Sequence, residues 1–239
     1  METITLKLLG ENDFFTQEAF KVLRTNLQFC GQEVKVIAFT SCNENDGKTM
    51  VSLQIGKSFA DLGKKVLVID ADMRKSVMAG RNTTAKDFTG LSEVLVGHSK
   101  LEDCVYATQY HGLHLIFAGK YPPNPVELLN SDYFKKLLEE ARKTYDYIIV
   151  DTPPLGLVID AAVIATKCDG TVLVLGNAKV RASKAQEVLD QLKKSECRVL
   201  GVVRNRANSG KRGYFRKGYY RKGYYKNDKN QYKAYKTDS

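Results

Sequence analysis

Two short apolar runs that each end in aspartate, Val66-Leu67-Val68-Ile69-Asp70 and Tyr147-Ile148-Ile149-Val150-Asp151, constrain this chain more than any other feature. Runs this short and this rich in Val, Ile and Leu read as strands buried on both faces, the condition of a mainly parallel sheet covered by helices. Comparable runs predict strands over Val34–Thr40, Lys65–Asp70, Leu113–Ala118, Tyr147–Asp151, Thr171–Leu175 and Arg198–Val203. Amphipathic stretches between them predict helices over Thr49–Leu62, closed by a left-handed Gly63, over Ser131–Thr144 and over Ser183–Ser195. The expected class is α/β, a mainly parallel sheet sandwiched by helices. In such a sheet ligands gather beyond the carboxyl ends of the strands, where both aspartates come to lie.

The first strand adds a third element. It runs into Thr40-Ser41-Cys42-Asn43-Glu44-Asn45-Asp46-Gly47-Lys48-Thr49 and then a helix, the strand, loop, helix context of a phosphate-binding loop. Backbone N–H groups and the helix N-terminus offer partial positive charge to phosphates. Lys48 adds a full charge, and the Thr49 hydroxyl suits Mg²⁺. Asn45, Asp46, Gly47, Lys48, Thr49 and Met50 are thus candidate ATP-binding residues, with a P-loop NTPase-like fold expected, although Cys42 stands where GxxxxGK[ST] has its first glycine. Asp70, Asp72 and Asp151 should converge with Lys48 and Thr49, a set that suits Mg²⁺ and a triphosphate. Lys48 is expected to face solvent and to contribute little to the core. Strand-end aspartates with a purely structural role, and a helix that merely starts with Gly-Lys-Thr, are the plain alternatives.

Charge divides the chain. Arg204–Ser239 carries 12 Lys and Arg against 2 Asp and Glu, while the preceding residues carry 25 of each sign, so the net charge of +10 lies in the tail. This tail has no aliphatic residue larger than Ala and cannot build a core, so disorder is expected. A basic, tyrosine-bearing unit repeats three times within Lys211–Tyr225, and seven of the chain's 13 tyrosines sit in the tail: Tyr214, Tyr219, Tyr220, Tyr224, Tyr225, Tyr232 and Tyr235. Ahead of the first strand, Gln17–Phe29 reads as an amphipathic helix outside the sheet alternation. The division expected is an N-terminal segment over 1–33, a phosphate-binding domain over 34–205 and a tail over 206–239.

Other classes recede. No signal peptide or membrane span is read in the sequence, so a cytoplasmic chain is expected. Five widely spaced cysteines without a CxxC pair read as reduced thiols, and His98, His111 and His114 do not form a metal site. Cys42 could act as a redox brake only if its thiol were acidified, and Asp160 reads either as part of a switch region or as a helix N-terminal acid.

With its deviant loop, VLVIDADMR and IIVDTPP, the chain resembles the bacterial tyrosine kinases of the capsule and exopolysaccharide type, relatives of the deviant P-loop ATPases that position septa and partition chromosomes. Glu18–Leu27 is similar to the family's helix ahead of the first strand, Gly119–Leu129 to its PPNPxELL segment, and the tyrosine-rich end to its phosphorylated tail. Three departures stand out: Asn45 where glycine is usual, Lys21 where arginine is commoner, and Asn43 where the septum and partition ATPases carry a lysine. Asn tolerates left-handed backbone angles, so the loop can close.

The resemblance implies an ATP-dependent protein-tyrosine autokinase. Lys48 would hold phosphates, Thr49 the Mg²⁺, and Asp151 the metal through water. Asp70 is assigned the phenol proton and Asp72 metal support, with the exchanged assignment open. Asn205 corresponds to an adenine-reading position, or is a turn asparagine. The seven tail tyrosines would be the acceptors, and Glu18, Lys21 and Arg24 would face a neighbouring subunit in a ring homo-oligomer. Implied partners are a transmembrane polysaccharide co-polymerase adaptor that activates the kinase at the inner face of the membrane and a protein-tyrosine phosphatase. No nucleic acid is expected. The alternatives are a deviant P-loop ATPase that positions complexes, and an anionic-polymer-binding protein acting through its tail.

Overall fold

The computed structural model describes residues 1–8, 13–83, 88–176 and 180–206. The chain divides into two compact units, Met1–Asn205 and Arg206–Ser239. Of the second, only Arg206 is described, so the expectation of a disordered tail and all seven tail tyrosines lie outside the described residues.

Among the described residues, eight strands form one sheet: β1 (Thr3–Ile4), β2 (Val36–Ser41), β3 (Val66–Asp70), β4 (Tyr106–Thr108), β5 (Leu113–Ile116), β6 (Tyr147–Asp151), β7 (Gly170–Leu175) and β8 (Val199–Arg204). Their order is β1-β4-β5-β3-β6-β2-β7-β8, and all neighbours are parallel except β4 and β5. The helices are α1 (Phe14–Gln28), α2 (Lys48–Ala60), α3 (Met78–Asn82), α4 (Leu91–Leu95), α5 (Pro125–Asn130), α6 (Asp132–Thr144), α7 (Asp160–Ala165) and α8 (Ala182–Lys194). All six strands expected from the sequence are present, with ends displaced by at most two residues. β1 and β4 are too short to show a period, and α3, α4, α5 and α7 have five or six residues each, under two turns.

Alternation builds the two layers. Ile37, Phe39, Val66 and Val68 point into a core shared with α1 and α2, while Val36, Ala38, Leu67 and Ile69 point into one shared with α6. α2 is buried at eleven of its thirteen residues. It approaches the sheet at Gly56, where a Cβ would lie 2.8 Å from Val68 Cγ2, so a larger residue there would push the helix away. Its far end turns at Gly63, whose φ of +75° is the left-handed value expected.

α1 starts at Phe14 because the Asp13 carboxylate caps it, accepting from the Thr16 N–H (2.8 Å) and hydroxyl (2.7 Å). It lies on α2. Arg24 Nη1 donates to the Ser58 carbonyl (2.6 Å) and hydroxyl (3.2 Å) in the last turn of α2, where the helix dipole favours a cation. Glu18 and Lys21 pair with each other along α1 at 2.8 Å. Within the chain, then, the three charged residues expected at a subunit contact already have partners, and Arg24 turns inward.

One carboxylate fixes the opposite end of the central strands. Asp169 accepts from the N–H groups of Lys35 and Val36 (both 2.8 Å) and from two nitrogens of Arg142 (2.9 and 2.7 Å). Although burial opposes it, these donors hold the Asp169 carboxyl below its ordinary range. Asp169→Asn should cost about 2 kcal/mol, or roughly 4–8 °C in Tm for a chain of this size. A depressed carboxyl contributes stability above its unfolded pKa and loses it as pH falls through the folded value. The wild-type advantage should therefore shrink below about pH 4 in paired thermal melts, because protonation does what the substitution does.

Candidate active site

The phosphate-binding loop joins β2 to α2, and its bends fall where the sequence tolerates them. Asn45 has φ +61° and Gly47 φ +91°, the left-handed angles that Asn and Gly accept most readily. Cys42 has no such angle; it is fully buried among Leu155, Ala161, Ala162 and Val188. Close approach to the loop is supplied from outside: a Cβ on Gly156 would lie 2.2 Å from the Cys42 carbonyl oxygen, and one on Gly176 2.3 Å from Asp46 Oδ1. Because Cys42 adopts no left-handed angle, a residue with a side chain fits where a first glycine would otherwise stand. Burial, and to a lesser degree the nearby Asp46, pushes the Cys42 thiol up to about 11, which removes the redox brake.

Asp46 and Asn205 close the loop. Asp46 Oδ2 accepts from the Asn43 N–H (2.9 Å), and Asn205 Nδ2 donates to the Asp46 carbonyl (3.0 Å). Three successive side chains are tied to basic residues: Asn43 to Lys184 (2.6 Å), Glu44 to Lys75 (2.7 Å) and Asn45 to Arg81 (3.4 Å). No side chain caps α2 at Gly47, so its first-turn N–H groups remain available to an anion. Met50, half-buried, packs against the core of α1 and α2.

β2, β3 and β6 bring the charges together. Asp70 and Asp151 are direct partners at the ends of β3 and β6. Lys48 is 8% exposed, and its ammonium lies 3.2 Å from Asp72 Oδ2 and 3.7 Å from Asp151 Oδ2. The expectation of a solvent-facing lysine is thereby corrected: Lys48 is the buried counter-ion of three carboxylates. Burial alone would lower its pKa, and Asp151, Asp72 and Asp70 reverse that and raise it. Asp151 accepts hydrogen bonds from the Thr49 hydroxyl and from Ser52 Oγ (3.3 Å). Asp70 takes the Asp72 N–H on Oδ1 (3.1 Å) and the Ser76 hydroxyl on Oδ2 (2.5 Å), and the Lys75 N–H reaches Asp72 Oδ1 (3.0 Å).

Even so, the site holds surplus negative charge. Burial, then the neighbouring Asp151, pushes Asp70 up to about 7, and burial also raises Asp151. Two buried acids that resist ionisation beside one ammonium mark a place where a hard cation would be welcome, and the donors, carboxylates and hydroxyls, are all oxygen. Among the described residues no His, Cys, Asp and Glu group could hold a metal by itself. Thr49, Asp70, Asp72 and Asp151 fit Mg²⁺ in company with phosphate oxygens and water, which is how Mg²⁺ is usually bound.

Sequence reasoning did not single out Ser52, Ser76, Lys75, Arg81, Lys184, Gly156 or Gly176. Ser52 had a signal, since it follows Lys48 by four residues on one helix face; the others depend on contacts across the sheet. Of the histidines, His114 is half-buried with Nδ1 2.9 Å from the Tyr145 hydroxyl, well away from this cluster on β5.

The AAA domain family profile matches residues 34–199. The tyrosine-protein kinase CpsD of Streptococcus agalactiae is 42% identical over 193 residues, covering 81% of this chain and 84% of that protein. The tyrosine-protein kinase YwqD of Bacillus subtilis is 35% identical over 202 residues, covering 82% and 84%. Among solved structures, the kinase domain of Escherichia coli tyrosine kinase ETK superposes with a TM-score of 0.76 at 33% identity, covering 83% of this chain and 78% of that one.

Two outcomes follow from the charge cluster. Lys48→Met should abolish ATP-dependent chemistry and also destabilise the chain by about 3–5 kcal/mol at neutral pH, because three buried carboxylates lose their partner. Melts at lower pH, where Asp70 and Asp151, both raised by burial, take up protons more readily, should show much of that loss recovered. Asp70→Asn should do the reverse. A raised carboxyl contributes its full stability below about pH 4 and loses it as pH rises through about 7, so the variant should melt several degrees above wild type at pH 8 and level with it near pH 4.

Proposed function

Since the chain belongs to the bacterial tyrosine-protein kinases, enzymes that transfer phosphate from ATP to tyrosine, we propose that its substrate is its own C-terminal cluster, Tyr214, Tyr219, Tyr220, Tyr224, Tyr225, Tyr232 and Tyr235. We further propose that this autophosphorylation regulates capsular or exopolysaccharide synthesis and export. The observation that carries the reading is the Lys48 ammonium among Asp72, Asp151 and Asp70, beside an uncapped helix N-terminus, in a chain that gathers seven tyrosines beyond its last strand.

In this reading the loop amides and Lys48 take the phosphates, and Thr49 and Asp151 hold Mg²⁺, which supplies charge neutralisation when bound. Burial favours exchanging the two remaining acids. Asp70 is fully enclosed, whereas Asp72, buried too and with both oxygens engaged, lies at the edge of the exposed Arg74–Ser76 loop. Asp72 then receives the phenol proton, and Asp70 supports the metal. A carboxylate is a weak base for a phenol, but phosphoryl transfer has a loose transition state in which the proton leaves late, so position matters more than basicity. Asn205 holds the loop at Asp46 and flanks the nucleotide base.

Among the described residues no helix is long and apolar enough to cross a membrane. Recruitment from the cytoplasm to the inner face of the membrane by a transmembrane co-polymerase adaptor, and dephosphorylation by a tyrosine phosphatase, complete the proposal. A ring homo-oligomer would use the outward face of α1, where Phe15, Val22 and Phe29 are exposed at seven-residue spacing and Glu18 and Lys21 form the rim. Each phosphotyrosine adds about −1.5 to −2 charges, enough for the full set to cancel the tail's excess.

To test this, a Lys48→Met chain with its tail is mixed with an active chain whose seven tail tyrosines are Phe, and Mg-ATP is added. Phosphotyrosine on the Lys48→Met chain, with none on the Phe-tailed chain, is the expected result. A Phe-tailed chain that labels as strongly as wild type would refute the tail as substrate.

A further inference from the structure

Asp160 is a buried acid that the chemistry above leaves unused. It opens α7, is 1% exposed, and follows Asp151 through the Pro153-Pro154 turn. Its Oδ2 accepts from Arg74 Nε at 2.8 Å, and its Oδ1 has no hydrogen-bond partner among the described residues. Arg74 stands two residues beyond Asp72, with its side chain 36% exposed. Its Nη1 and Nη2 make no hydrogen bond among the described residues.

The unpaired Oδ1 shows what this arrangement forgoes. Arginine and a carboxylate ordinarily pair through two parallel N–H···O bonds, which would satisfy both buried oxygens. Here the guanidinium is held by Nε alone, a buried acceptor stays empty, and the outer edge with two N–H-bearing nitrogens is kept for a second anion. The bridge also ties the loop after β3 to the loop after β6, and holds the guanidinium close enough to Asp72 for the two charges to interact.

We propose that Arg74 is a catalytic residue that binds the oxygens of the phosphoryl group in transit from ATP to tyrosine, and that Asp160 is its positioning residue. This rests on the kinase reading above. In the transfer the phenolic oxygen forms a bond to the γ-phosphorus, and the bond from that phosphorus to the bridging oxygen breaks. ADP departs with the electron pair, and the phenol proton passes to a carboxylate. Charge spreads over the phosphoryl oxygens, where a planar two-pronged cation that cannot lose its proton is most effective. Arg74 itself neither gives nor takes a proton. Lysine, a single mobile point charge, would not substitute.

Initial rates of phosphotyrosine formation, Mg-ADP affinity from a fluorescent analogue and Tm are measured for wild type, Arg74→Ala, Arg74→Lys, Asp160→Asn and the double variant Arg74→Ala/Asp160→Asn. Arg74→Ala should lower kcat by about 10²–10³-fold while Mg-ADP affinity moves less than about threefold, and Arg74→Lys should regain under about a tenth of the lost rate. Asp160→Asn should cost about tenfold in kcat. The double variant decides between chemistry and a simple strut. With no unpartnered buried charge it should recover Tm toward wild type, yet its rate should stay at the Arg74→Ala level. Recovery of rate together with Tm, or an Arg74→Ala chain retaining more than about a third of the wild-type rate, would overturn the proposal. A wild-type chain that forms no phosphotyrosine would instead defeat the kinase reading.

Discussion

The structure turns on one ammonium group. Lys48 reaches the ends of two strands from the first turn of α2, and without it Asp70, Asp72 and Asp151 would be buried acids with no compensating charge. Its attraction draws the loop after β3 and the end of β6 onto the N-terminus of α2. The balance is incomplete, since Asp70 is still pushed up to about 7. A site in this condition is stable enough to persist and negative enough to draw in a hard cation and the phosphates that accompany it.

Everything around that centre restricts its movement. α2 is buried along nearly its whole length, is tight against β3 at Gly56, and is bound at its last turn by Arg24 from α1. α1 thus packs directly on the helix that carries Lys48 and Thr49. At the opposite end of the sheet, Asp169 ties β2 to α6 through Arg142. Around the loop, Lys75, Arg81 and Lys184 each hold one side chain of Asn43–Asn45. The phosphate-binding loop is a braced structure, and Gly156 and Gly176 let its braces come close.

Much of this was legible in the sequence, for physical reasons that can be named. Strand-end aspartates announce themselves because apolar runs stop at them, and a parallel sheet can place such ends only on one edge. Asn45 accepts φ +61° as its chemistry allows, and Gly63 turns the chain after α2. Depth was not legible. Lys48 reads as an exposed loop lysine until Asp72, from the loop after β3, and Asp151, from the end of β6, are seen to enclose it. The charged trio of α1 spaced at i, i+3 suits an interface and an internal pair equally well, and only the position of Ser58 shows that Arg24 turns inward. Arg74 and Asp160 are 86 residues apart, so their bond leaves no trace in any local pattern. β1, β4 and the short helices fall below the length at which a period can be read.

A direct measurement of the charge balance is available in the protons exchanged on ligand binding. Mg-ADP is titrated calorimetrically into the chain in buffers of different ionisation enthalpy, from about pH 6 to about pH 8.5. If the empty site keeps a proton on Asp70 because Lys48 cannot neutralise three buried acids, cation binding should expel it. Release should approach one proton near pH 6, fade toward zero by about pH 8.5, and be missing in Asp70→Asn. Net proton uptake, or the same release in Asp70→Asn as in wild type, would contradict this picture of the site.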